Sequence, residues 1–117
     1  MFDPECIFCK IIKKEIPSQI IKENADVIVI EDISPKAPIH YLIIPKKHIK
    51  NINHISEEDK NIAWQMVKMA KELASDIGDP HAFNLISNNE AQAGQCVFHM
   101  HWHFISGKKV SVDGNKL

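Results

Sequence analysis

Residues 94–107 read Gly-Gln-Cys-Val-Phe-His-Met-His-Trp-His-Phe-Ile-Ser-Gly, so that His99, His101 and His103 alternate with Phe98, Met100, Trp102 and Phe104. A period of two predicts a β-strand, here over residues 97–105, whose successive side chains point to opposite faces. The three imidazoles then share one face, with neighbours roughly 6.5–7 Å apart, and the apolar residues turn to a core. Histidine changes charge near neutral pH and carries two distinct ring nitrogens. Such a row suits two chemistries. One is metal binding, for which imidazole is a common ligand. The other is catalysis in which one imidazole attacks and its neighbours assist. Spacing alone does not choose between them. The plain alternative is a solvent-facing strand that carries histidine by chance. Three of the chain's seven histidines within five positions count against it.

Other residues offer chemistry more weakly. The loop Asn88-Asn89-Glu90-Ala91-Gln92-Ala93-Gly94-Gln95-Cys96 leads into the histidine row. Gly94 lets backbone approach a ligand and its neighbours supply N–H donors for an anion, while Gln95 adds an amide. An ordinary glycine-containing hairpin loop has the same look. Asp32 falls where a strand enters a proline-rich loop and could accept hydrogen bonds from a ribose diol, although aspartate more commonly caps such a turn. His40 opens a strand and gains interest only beside the other histidines. Cys6-x-x-Cys9 is half of a metal site, a redox pair, or two buried thiols. The βαβ setting of a thioredoxin-like redox pair is missing.

The elements that must position these residues follow from pattern. Ile7, Ile11 and Ile12 stand at helical spacing in residues 6–15, and Pro17 ends that short helix. Strands are predicted at 20–23, 27–31, 40–44 and 82–87, with turns at 24–26 and 32–38. Ser56 is a good N-cap for one long helix, with Glu57, Glu58 and Asp59 in its first turn. Ile62, Met66, Met69, Ala70, Leu73 and Ile77 line one face of it, and Gly78 and Pro80 stop it. The last dozen residues read as a frayed or partner-dependent tail. The strands lie too close in sequence for parallel crossovers, so an antiparallel sheet with one long helix on a face is expected, an α+β class.

Composition bounds the function. The 117 residues fit one domain, 1–117, with about two-thirds of the unfolded surface buried. Fourteen Lys plus Arg against fifteen Asp plus Glu give a net charge of −1, which argues against a dedicated binder of nucleic acid or anionic membrane. No run approaches the ~20 apolar residues of a membrane span. No basic segment followed by an apolar one opens the chain, so no signal peptide is expected and a cytoplasmic protein is. Three cysteines, an odd count, disfavour a disulfide framework.

Taken together, these residues resemble the histidine-triad (HIT) family, and within it the nucleoside-phosphoramidase (Hint) branch. The likeness runs through nearly the whole chain: Cys6-Ile-Phe-Cys-Lys-Ile-Ile, Glu15-Ile-Pro17, Asp32-Ile-Ser-Pro-Lys-Ala-Pro-Ile-His40, Ile44-Pro-Lys-Lys-His48, then Asn88 through His103. The resemblance implies a HIT-like five-stranded antiparallel sheet with one long and one short N-terminal helix, in a homodimer whose sheets join. It implies hydrolysis or transfer of nucleoside monophosphate groups through a nucleotidyl-histidine intermediate. The Hint branch cleaves adenosine 5′-phosphoramidates at P–N bonds, and aminoacyl adenylates. By position His101 matches the nucleophile, His103 the phosphate-contacting histidine, and His99 and His40 the supporting histidines. Asp32 matches the ribose-binding acid. Phe8, Ile11, Ile30 and Ile33 fall around the base pocket, and Asn88, Gln95 and Cys96 at phosphate-contacting positions. The more distant galactose-1-phosphate uridylyltransferases look similar at two cysteines and two histidines around one structural zinc. Cys6, Cys9, His48 and His99 match that set. No metal is implied for the chemical step, and no carboxylate cage for Mg²⁺ is visible near the row.

Three departures stand out. Cys96 replaces a serine usual in the branch, and a thiol is a weaker donor than a hydroxyl. Help to the leaving group then falls to Gln95 or water. Ser106-Gly107-Lys108 replaces Gly-Gly-Arg, and the tail lacks a Trp-Pro-Pro ending. The reading is a purine nucleotide-binding hydrolase of P–N bonds. The alternatives are a dinucleoside-polyphosphate hydrolase and a nucleotide-binding regulatory module with incidental turnover.

Overall fold

The computed structural model describes residues 3–107. Of the twelve residues expected to form a loose tail, 108–117 lie outside that range, while Ser106 is buried and ends a strand. The elements run α1 (Ile7–Ile12), β1 (Ile20–Glu23), β2 (Val27–Glu31), β3 (Ile39–Pro45), α2 (Lys60–Asp76), β4 (Asn84–Ser87) and β5 (Trp102–Ser106). Short 3-10 turns occupy Ile52–His54, Glu57–Asp59 and Ala91–Ala93. All strand pairs are antiparallel, in the order β1-β2-β3-β5-β4. This is the expected five-stranded α+β architecture.

Strand alternation divides the sheet into two apolar layers. Val27, Val29, Ile43 and Phe104 pack with Met66, Met69, Ala70 and Leu73 of α2. Ile28, Ile30, Leu42 and Ile44 face the other way and pack with Phe8 and Ile11 of α1. Leu42 lies opposite His103, and His40 opposite Ile105, so both histidines stand on the α1 side.

The start of α2 shows why a strong cap does not by itself set a boundary. Ser56 and Asp59 make a reciprocal capping box, and Asp59 also takes Lys47 Nζ at 2.6 Å. One 3-10 turn follows before the α-helix opens at Lys60. In α1 the buried residues are Phe8, Cys9 and Ile11, not the predicted Ile7–Ile11–Ile12 stripe. Ile7 is half exposed and stands on a cavity wall. β4 begins at Asn84, two residues later than expected. The Ala82 carbonyl there accepts from Ser106 Oγ at 2.6 Å.

The largest difference lies in the histidine row. The regular strand covers Trp102–Ser106, not 97–105. Ahead of it the backbone bonds elsewhere. Met100 N–H donates to the Ile49 carbonyl at 2.6 Å, and the His99 carbonyl accepts from the His101 ring at 2.8 Å. Met100 and Phe104 still enter the α2 core, with Trp102 packed against it. Phe98 does not. It is half exposed, with Lys50 Nζ 5.5 Å from its ring centroid.

Candidate active site

A cavity of about 510 Å³ opens on the α1 side of the sheet. Phe8 and Ile11 from α1, Ile30 and Asp32 at the end of β2, Leu42 from β3, His103 from β5, His101 just before it, and Asn88, Gly94, Cys96 and Val97 from the long loop form its walls. His101 and His103 are neighbours there, with ring centroids 5.3 Å apart. Phe8 meets the His101 ring edge-on at 5.1 Å.

Hydrogen bonds give these two imidazoles opposite roles. His101 Nδ1 lies 2.8 Å from the His99 carbonyl, which only accepts. Nδ1 therefore carries the proton and Nε2 keeps a lone pair. His40 Nδ1 accepts from Lys36 N–H at 3.0 Å. In the neutral ring His40 Nε2–H then donates to His103 Nδ1, 2.9 Å away. That leaves His103 Nε2 as an N–H donor. Burial holds His40 and His101 below the usual histidine range, and pushes His103 down to about 4 with the nearby His101 and His40 adding to it. All three are neutral at pH 7. The wall thus carries one unprotonated nitrogen beside one N–H donor.

Asp32 combines both sequence-level readings. Its Oδ1 accepts from Ser34 N–H at 2.7 Å and caps the turn. Its Oδ2 lies 3.5 Å from His40 Nε2, and the residue stands on the cavity wall. Phe8, Ile11 and Ile30 are buried walls, whereas Ile33 is 96% exposed at the rim.

The loop 88–97 splits into two sets. Asn88, Gly94, Cys96 and Val97 face the cavity. Gly94 is left-handed at φ 95°, and a Cβ there would come within 4.0 Å of the Asn88 side chain. Gln95 departs from its expected place beside a phosphate, because its amide is already saturated. Nε2 donates to the Lys50 and Val97 carbonyls at 2.7 and 3.0 Å. Oε1 accepts from Asn51 Nδ2 and Glu90 N–H at 3.0 and 2.8 Å. Gln95 is 3% exposed and absent from the cavity wall. Glu90 has φ 80° and ψ 154°, a conformation that costs a non-glycine residue about 1–3 kcal/mol.

His99 is fully buried and faces away from the cavity. Its Nε2–H donates to the Pro45 carbonyl at 2.7 Å, so Nδ1 is the lone-pair nitrogen. That nitrogen lies 3.3 Å from Cys6 Sγ and 3.6 Å from Cys9 Sγ. His48 Nδ1 lies 3.3 Å from Cys9 Sγ, and the four ligand atoms are all within 4.8 Å of one another. A tetrahedral zinc with thiolate and imidazole ligands needs S···N separations of about 3.5 Å. The donor set and its spacing fit that ion. Backbone N–H groups of Asp3 and Cys9 point at the two sulfurs at 3.3 and 3.4 Å, the outer contacts that steady metal ligands.

Comparison with known proteins agrees with this geometry. The HIT domain model matches residues 13–110. The chain belongs to the HIT family. An uncharacterised HIT-like protein of Synechocystis is 39% identical over 107 residues, covering 92% of this chain and 94% of that one. Among solved structures, a HIT family hydrolase from Clostridium thermocellum superposes with a TM-score of 0.88 at 44% identity, covering 93% and 96% of the two chains. Another, from Legionella pneumophila, gives 0.89 at 36% identity, covering 94% and 99%.

Within this HIT chain, sequence reading missed several cavity walls. Leu42 stands two residues from His40 on the same strand, where the period of two could have found it, whereas Val97 lies ahead of the regular strand and is placed by the loop. Ile16, Pro17, Ser18 and Gln19 also line the cavity. Their place comes from the path between α1 and β1, for which the sequence holds no local signal.

Proposed function

We propose that this HIT protein hydrolyses purine nucleoside 5′-phosphoramidates at the P–N bond, with aminoacyl adenylates as related substrates. The observation that carries the reading is the opposite protonation of two adjacent cavity imidazoles. His101 Nε2 attacks phosphorus, an N–P bond forms, and the P–N bond to the leaving amine breaks. The charge that develops on His101 is met by the His99 carbonyl at Nδ1–H. His103 Nε2–H donates to a phosphoryl oxygen. The amine leaves with a proton from the Cys96 thiol or from water, since Gln95 has no donor to spare. Water then attacks the nucleotidyl-histidine: a P–O bond forms as the N–P bond to His101 breaks, the water's proton replaces the one given to the amine, and the monophosphate leaves. Asp32 takes the ribose diol, and Phe8, Ile11 and Ile30 take the base.

Replacing His101 by alanine tests this. Turnover of an adenosine phosphoramidate should fall about 10³-fold or more while AMP affinity survives. Turnover within about tenfold of the parent would remove His101 as nucleophile.

The Cys6–Cys9–His48–His99 set is proposed to hold one structural zinc. When bound, the metal would supply a closed four-ligand anchor and no chemistry. His99 links the two sites, because its ring faces the thiols while its carbonyl holds His101. A cytoplasmic setting suits the three free cysteines, Cys6, Cys9 and Cys96. A homodimer is also proposed. β4 is a sheet edge, Leu85 on it and Phe83 beside it are half exposed, and so are Trp64 and Val67 on α2. Among the described residues Trp102 Nε1 is buried without a hydrogen-bond partner.

A further inference from the structure

We propose that Asn51, Glu90 and Gln95 form a clasp behind loop 88–97 that positions its phosphate-facing residues, with Asn51 a positioning residue for the site. This rests on the reading of the cavity as a nucleotide site. The loop's forward residues, Asn88, Gly94 and Cys96, stand on the cavity wall. Its backward residues bind the segment after β3. Asn51, 1% exposed, divides its amide hydrogens between Glu90 Oε2 at 2.9 Å and Gln95 Oε1 at 3.0 Å. Lys50 Nζ reaches Glu90 Oε1 at 3.1 Å. Ile52 N–H donates to Asn89 Oδ1 at 2.9 Å. Gln95 closes the set onto the Lys50 carbonyl at 2.7 Å.

Two features show that the loop is held, not merely resting. Glu90 keeps a backbone conformation that only glycine adopts freely, at φ 80° and ψ 154°. Such a residue persists only where its surroundings fix it. Here its N–H, its carbonyl and both carboxylate oxygens are all engaged. Gln95, in turn, uses every donor and acceptor of its amide, so none remains for a ligand. Asn51 and Gln95 are buried at the centre of this network, where satisfied polar groups fix geometry, and small displacements of positioning groups cost a reaction heavily. The clasp therefore acts on phosphate held by the loop and leaves the base end, built from α1 and β2, untouched.

The test compares AMP with adenosine, which shares the base and ribose but lacks phosphate. Both are titrated calorimetrically into the full chain and into Asn51→Ala, Glu90→Gly and Glu90→Gln, with thermal melts alongside. The ratio of AMP to adenosine affinity reads the phosphate end alone. Asn51→Ala should lower that ratio about tenfold or more, with adenosine affinity within about threefold of the parent. Glu90→Gly relieves the backbone, so it folds, yet it should lower the ratio too. Glu90→Gln keeps an acceptor for Asn51 and should restore most of it. An unchanged ratio in Glu90→Gly, or equal weakening of both ligands in Asn51→Ala, would overturn the clasp. A parent protein that binds AMP no better than adenosine would instead defeat the nucleotide-site reading and the clasp with it.

Discussion

The buried His103 makes acid stability a direct test of the imidazole relay. Its ring is held at about 4 against an ordinary 6.5, chiefly by burial. The folded protein therefore keeps His103 neutral in a range where the unfolded chain binds a proton. Between about pH 6.5 and 4 the unfolded state holds more protons, so stability rises with pH across that window. The contribution is fully present above pH 6.5, falls away toward pH 4, and changes no further below it. At roughly 1.4 kcal/mol per pH unit this amounts to about 3 kcal/mol for the one residue. Replacing His103 by glutamine removes the titration and keeps an acceptor for His40 Nε2–H. Urea unfolding of parent and variant at steps from pH 7.5 to 4 gives the difference. All other groups are common to the two proteins, so the difference reads His103 together with its contact to His40 at 2.9 Å. The variant should lose about 3 kcal/mol less than the parent on acidification. Parallel pH profiles would refute the neutral, buried His103 and with it the assigned N–H donor.

Three further outcomes are expected. Protein purified without chelator should carry near one zinc per chain, lost in Cys9→Ser, and a strong chelator should lower Tm by about 10 °C or more; a metal-free parent indifferent to chelator would leave the thiols as core residues. Asp32→Ala should weaken ribonucleotides about tenfold more than 2′-deoxynucleotides, because a charge-assisted diol contact is lost only in the former, and equal losses would leave Asp32 as a turn cap alone. Sedimentation equilibrium at micromolar concentration should give twice the chain mass, and a monomer there would defeat pairing through β4 and α2.

Much of the fold was legible because the pattern and the packing obey the same period. Val27 to Glu31 is a strand in the sequence and in the structure, and the α2 stripe of Met66, Met69, Ala70 and Leu73 is buried as its spacing demands. The row at 97–105 was half legible. Alternation says which side of the sheet a residue joins, and it holds for Met100 and Phe104. It does not say where backbone bonds go, and those of residues 99–100 leave the ladder for Ile49 and the His101 ring. Gln95 was misplaced for a related reason. Its type fits a phosphate contact, but only tertiary structure shows that Lys50, Asn51, Glu90 and Val97 already use its amide. Nothing in the local sequence marks Glu90 as a residue in a glycine conformation.

The three histidines of the row differ by the group that holds each ring, and this is what turns a repeat into a site. The Pro45 carbonyl fixes His99 at Nε2 and turns Nδ1 to the thiols. The carbonyl of His99 itself fixes His101 at Nδ1 and frees Nε2. His40, locked by Lys36 N–H, makes His103 a donor at Nε2. One imidazole thus suits a metal, one a phosphorus atom and one a phosphoryl oxygen, though all three share a neutral chemistry set by burial. The chain Pro45–His99–His101 also means that whatever seats His99 among Cys6, Cys9 and His48 seats the carbonyl that orients His101. A metal far from the reacting atoms would therefore act on catalysis through one peptide group. Its loss should show first as a misdirected His101 and a loosened Phe8 wall, both carried on the elements it ties together.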